Sequence, residues 1–168
     1  MKTILTRAKT LVNDNRAPGQ TLEYVKGVEV VHPEIELTTI TIPSIPKIIF
    51  TPVSTSEEWV ASLRKNSLNV VMAYLILQYH QRESSIISDA TRPSGQGKGI
   101  TDFVSDFISV FRGHRFAVDG VNYLDKPLDI TNIDYADPIS VDNGHLIVAA
   151  VTMECSRLLT QVSLPGNV

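Results

Sequence analysis

"SLNVVMAYLILQYHQ", residues 67–81, decides the fold. The apolar run is long enough for a helix, but its β-branched and aromatic content favours a strand. Under a period of two, Val71, Ala73, Leu75 and Leu77 share one face, and Val70, Met72, Tyr74, Ile76 and Gln78 share the other. Both faces are largely apolar, which predicts a central strand covered on both sides.

Working outward, "HLIVAAVTMECSRLL" (145–159) is a second long strand. "VDNG" (141–144) is a turn signal and predicts a hairpin with the segment before it. "PKIIFTPV" (46–53) is a short strand framed by Pro46 and Pro52. Proline donates nothing to a ladder, so this strand is expected at an edge or to end at its prolines. "LTTITI" (37–42) alternates within a β-branched stretch from Leu22 to Phe50. "FAVDGVNYLDKPLDITNIDYADP" (116–138) is turn-rich with strand pieces.

Three segments read as helical. In residues 3–13, Ile4, Leu5, Ala8, Leu11 and Val12 fall at near-helical spacing, and "NDNRAPGQ" (13–20) ends the pattern. "STSEEWVASLRK" (54–65) reads as a short helix capped by Ser54 or Ser56, with Glu57 and Glu58 in its first turn. In "DFVSDFISVFRGHRF" (102–116), Phe103, Val104, Phe107, Ile108 and Phe111 form one apolar stripe, with Thr101 or Asp102 near the cap. Such a stripe is expected to dock on a sheet. Gly113 supplies a left-handed stop, and Arg112 and His114 sit at the negative dipole end. The order is helix, several strands, helix, two strands. It predicts a single α+β domain over residues 1–168: a mixed, mostly antiparallel sheet with helices packed on one face. The polar stretch "RESSIISDATRPSGQGKG" (82–99) is expected to be a flexible loop that orders on assembly.

Composition narrows the function. The 168 residues suit one domain, with 43% apolar and 20% charged residues. The net charge of −3 argues against a broad grip on nucleic acid. Cys155 is the single cysteine, which points to a reducing compartment. "MKTILTRAKTLVNDNR" (1–16) is too charged for a secretory signal, and no apolar run approaches the ~20 residues that span a bilayer. The expected location is the cytosol, or a particle assembled there.

No catalytic set emerges. His32, His80, His114 and His145 lack metal spacing. "SGQGKG" (94–99) fails as a phosphate loop, because Gly99 follows Lys98 and Arg92 stands where the first glycine belongs. Asp125, Asp129, Asp134 and Asp137 match no cation loop and read as turn and edge-strand solvation, although a hydrolase using them is an alternative. Ser84, Ser85 and Ser88 have no recognisable base, and G-x-S-x-G is absent. Cys155 reads as a small buried hydrophobe. Trp59 either packs its own helix on the sheet or anchors an interface. No enzyme, cofactor or metal is expected.

The ordered set of these segments resembles the tail terminator proteins of tailed bacteriophages and the related tail-completion and neck proteins. The carrying residues are "TILTRAKTLV" (3–12), "IPKIIFTPVS" (45–54) with "TSEEW" (55–59), Arg64, "LNVVMAYLILQYHQ" (68–81), "GITDFVSDFISVFRG" (99–113), "FAVDGVNYLDKPLDI" (116–130) and "GHLIVAAVTMECSRL" (144–158). Order and spacing carry the match over residues 3–160. The departures are a fuller β segment at "VVHPEIELTTITI" (30–42) and the long loop 82–99.

The resemblance implies a non-enzymatic, usually hexameric ring at the head-proximal end of the tail tube. Such a ring ends tube growth and joins the tail to the head. Its partners would be its own copies, the tail tube protein, the stopper or head-completion protein and, in a contractile tail, the sheath. DNA would pass through the lumen without specific binding. Another neck or tail station (stopper, adaptor or baseplate-associated protein) is the alternative. A closed head-to-tail ring needs two different sticky patches. The strand 46–53 with Phe50, together with Trp59 and Arg64, supplies candidates for one patch, and Arg112 and Arg115 for the other.

Overall fold

The computed structural model describes residues 1–31, 45–61, 64–79, 98–117, 120–141 and 144–160. The alternating segment 37–42, residues 82–97 of the expected loop, and His32 and His80 lie outside the described residues. Along the chain run α1 (Lys2–Asp14), β1 (Gly27–Val30), β2 (Lys47–Ala61), β3 (Arg64–Tyr79), α2 (Ile100–Phe111), β4 (Asp129–Tyr135), β5 (Ile139–Val141) and β6 (Gly144–Thr160).

The strands form one mixed sheet in the order β1-β2-β3-β6-β4. β1 and β2 run parallel, and every other pairing is antiparallel. β3 pairs along the whole of β6, from Arg64↔Thr160 to Tyr79↔His145. β4 and β5 therefore share the opposite side of β6, with β5 closing the expected hairpin at Val141↔Gly144. The result is an α+β domain with β3 as its central strand.

Alternation sorts β3 as expected on one face. Val71, Ala73, Leu75 and Leu77 are buried, in line with Ile48 and Phe50 of β2 and Ala149, Val151 and Met153 of β6. α1 contributes Ile4, Leu5, Ala8 and Val12 to this core, and α2 contributes Ile100, Phe103, Val104, Phe107 and Phe111. Phe107 and Phe111 stack at 4.3 Å, and Phe50 packs against both, at 6.3 Å and 5.8 Å. Each such ring contributes on the order of 2–3 kcal/mol by leaving water. On the second face only Ile76 of β3 is fully covered, in a small cluster with Ile45, Ile49, Leu146 and Val148, while Val70, Met72, Tyr74 and Gln78 are half-buried.

Four expectations need correction. Residues 54–61 are not a helix. β2 continues through them, and β3 begins at Arg64. The β3 partner supplies what the isolated segment lacks: Thr55 Oγ1 donates to Asn69 Oδ1 (3.0 Å), Lys65 pairs with Glu57 (3.3 Å), and the Lys65 ammonium lies 4.8 Å from the Trp59 ring centroid. Cross-strand pairing overrides local propensity here. The strand at 46–53 is neither short nor an edge at its start, because β1 flanks Lys47–Phe50. Among the described residues β2 is an edge only beyond that, where Pro52 precedes a bulge that leaves Val53 unpaired. The cap of α2 is Gly99, with Asp102 in the first turn. Three strands follow α2, where two were expected. The stop at Gly113 stands as expected, with φ +80°.

Candidate interaction site

β2, β3 and β6 run on beyond the core as a three-stranded arm. On the helix-covered face the last apolar row is Pro52–Val71–Met153. The next rows are Thr55–Asn69–Cys155, Glu57–Ser67–Arg157 and Trp59–Lys65–Leu159. Asn69 and Ser67 are buried and bonded to each other, Nδ2 to Oγ, at 3.1 Å. On the outer strand every residue from Val53 to Trp59 is exposed. Trp59 and Val53 each keep 53% of their surface, and Leu158 on β6 keeps 41%.

The β6 edge of the arm is basic. Tyr123 lies between two arginines: the Arg7 guanidinium carbon is 4.5 Å from its ring centroid and that of Arg157 is 4.4 Å. Arg157 also donates to the Tyr123 hydroxyl (2.9 Å), and Arg7 donates to the Phe116 carbonyl (2.7 Å). All three side chains are half-buried, and the Arg7 Nε is buried with no partner. Neither guanidinium is in an ion pair among the described residues. The loop holding Tyr123 is pinned on both sides. The Tyr123 and Leu124 amides donate to the Arg115 carbonyl, each at 3.1 Å, and the Asp125 amide donates to Ser156 on β6 (3.2 Å).

Phe116, buried beneath this loop, adopts φ +50°, a left-handed conformation that costs a non-glycine residue on the order of 1–2 kcal/mol. Its amide donates to His114 Nδ1 at 2.9 Å, and its carbonyl receives Arg7. His114 is therefore held neutral at Nδ1, and burial lowers its pKa in the same sense.

The sequence candidates fall in three places. Phe50 has no exposed surface and serves the core, so it leaves the interface set. Trp59 sits on the exposed arm, on a strand and not on a helix. Arg64 is the first residue of β3, paired with Thr160 at the arm tip. Arg112 caps α2 and is exposed, and half-buried Arg115 anchors the Tyr123 loop through its carbonyl. Arg7, Tyr123 and Arg157, the centre of the basic cluster, were missed. They lie on α1, a loop and β6, and no local pattern links them.

Other polar groups serve the fold. Lys98 (2.7 Å) and the Tyr24 hydroxyl (2.8 Å) both donate to Asp106 Oδ2, tying α2 to the turn after α1. Burial, that hydrogen bond and the charges of Asp106 and Asp102 push the Tyr24 pKa up, so its hydroxyl stays a donor. Lys47 is buried and pairs with Glu29 on β1 (2.7 Å). Cys155 is buried, and burial raises its thiol to about 12. Asp129, Asp134 and Asp137 are exposed on and just after β4. Among the described residues no three His, Cys, Asp or Glu side chains converge as metal ligands, and no helix is long and apolar enough to cross a membrane. No protein-family model and no curated protein matches the chain.

Proposed function

We propose that this chain is a structural subunit of a phage virion. It forms a ring, hexameric by resemblance, at the head-proximal end of the tail tube, where it ends tube growth and joins tail to head. The observation that carries the reading is the arm. Three long strands continue past the core, no helix among the described residues covers their outer strand, and Trp59, Val53 and Leu158 stay exposed on them. Unpaired edges invite pairing with another chain, and exposed tryptophan is typical of interface hot spots. The element order also supports the reading, since the long paired strands and the Phe-striped helix are the features on which the resemblance rests. A mixed sheet with helices on one face fits a terminator better than a mostly helical adaptor or a small-barrel stopper.

In this role the chain is not an enzyme, and its partners are its own copies, the tube protein and the stopper. It is made in the host cytosol and incorporated into the virion. Electron microscopy of the purified protein and of particle necks tests this. A closed ring at the top of the tail is expected. A protein that remains a single 18.5 kDa protomer at every concentration and is missing from the neck would falsify it.

A further inference from the structure

The arm is asymmetric in charge across its width. Glu57 and Arg157 are both register partners of Ser67, so they stand at the same height on either side of β3. Two strand spacings separate them, roughly 10 Å. Beside Glu57 on β2, whose outer side pairs with no strand among the described residues beyond Phe50, is Glu58, exposed and without an ion-pair partner among them. Beyond Arg157 lies the Arg7–Tyr123–Arg157 stack, with guanidinium N–H groups that no carboxylate among the described residues occupies. One edge of the arm thus carries Glu57, paired with Lys65 at 3.3 Å, an exposed indole on the same face, and Glu58 on the reverse face. The opposite edge, level with it, carries two guanidiniums around a phenol ring, neither in an ion pair among the described residues.

Resting on the ring reading, we infer that the acidic β2 edge of one copy, Glu57 to Trp59, docks on the Arg7–Tyr123–Arg157 stack of the next. The occupant is a second copy of this chain, and charge complementarity at matched height selects it. A side-by-side neighbour turned about a common axis brings its β2 edge to this face, so one contact repeated head to tail closes a ring. Guanidinium meets carboxylate with two parallel hydrogen bonds, and the stacked geometry holds each guanidinium in place beforehand. Ion pairs at this edge make assembly sensitive to salt, because screening shortens to about 3 Å at 1 M ionic strength.

The test uses two full-length variants, Glu57→Arg/Glu58→Arg and Arg157→Glu, with light scattering over a concentration series. Circular dichroism and melting temperature verify that each protomer folds. Each variant alone is expected to associate at least about tenfold more weakly than wild type. The equimolar mixture is expected to recover rings, because each protein then offers the other a complementary edge. A purely structural role for Arg157 does not produce that recovery. If Arg157→Glu fails to fold, weak assembly of the Glu57/Glu58 variant at low salt still supports the contact, and its full assembly overturns it. Full assembly of both variants, or folded variants whose mixture stays dissociated, also overturns it. So does a wild-type ring whose only loss on Arg157→Glu is binding to a short duplex DNA, which assigns the stack to nucleic acid. In those cases the ring reading survives. A wild-type chain that never leaves the protomer overturns both.

Discussion

Two cross-strand rows of the same three strands show the contrast in this molecule. Under the helices, Phe50, Ala73 and Val151 stand side by side with no exposed surface. Farther along, the row is Glu57, Ser67 and Arg157. The backbone ladder runs through both. Ladder pairing therefore sets how long these strands are, and the Phe-striped helix sets where the core stops. The first half is held by apolar burial, while the second is a platform of paired backbone carrying polar and aromatic side chains. Only the second has chemistry left to spend on a partner.

Experiments that break or sharpen this contrast begin with Cys155, at the boundary between the halves. With its thiol raised to about 12, it holds about a thousandfold less thiolate than an ordinary cysteine at the same pH. Maleimide labelling at pH 8 is expected to be negligible in the native protein and fast in denaturant. Fast native labelling would mean that the core ends one row earlier. Phe107→Ala should cost about 3–5 kcal/mol in urea titration, since it empties a site packed by Phe50 and Phe111. A cost below about 1 kcal/mol would remove the distinction between the halves.

Trp59→Ala should change protomer stability by less than about 1 kcal/mol, because half the ring is already in water, yet it should weaken association in light scattering. The smallest effect belongs to His114. Its folded pKa lies below the unfolded value near 6.5, so the unfolded chain binds more protons in that window. Stability contributed by neutral His114 is present above pH ~6.5 and is lost as pH falls through the folded pKa. The melting temperature should drop less between pH 7.5 and pH 5.5 in His114→Gln than in wild type. Equal drops would show that His114 is not held neutral.

Much of the fold was legible because apolar residues with a clear period leave few choices. The alternation of Val71 to Leu77 and the stripe of Phe103, Phe107 and Phe111 each admit one docking face. The arm was not legible. Ser54 to Trp59 contains serine, glutamate and tryptophan with no apolar period, and its strand state depends on Lys65, Ser67 and Asn69 across the hairpin. Phe50 was misplaced for a related reason: the prolines around it suggested an edge, while β1 covers that side. Next to the basic cluster, only Arg115, whose carbonyl holds the Tyr123 loop, was visible at the helix stop. The cluster's centre was not, because Arg7, Tyr123 and Arg157 meet only once the sheet order is known.

Val53 has a consequence out of proportion to its size. As the one unpaired residue between Pro52 and Ser54, it shifts the odd–even phase of everything after it on β2. Were it drawn into the ladder opposite Val70, the outer strand would slip by one residue, sending Glu57 and Trp59 to the reverse side and bringing Ser56 and Glu58 forward, whereas deleting it would leave their facing unchanged. Leaving this one residue out of the ladder thus decides which way the strand looks.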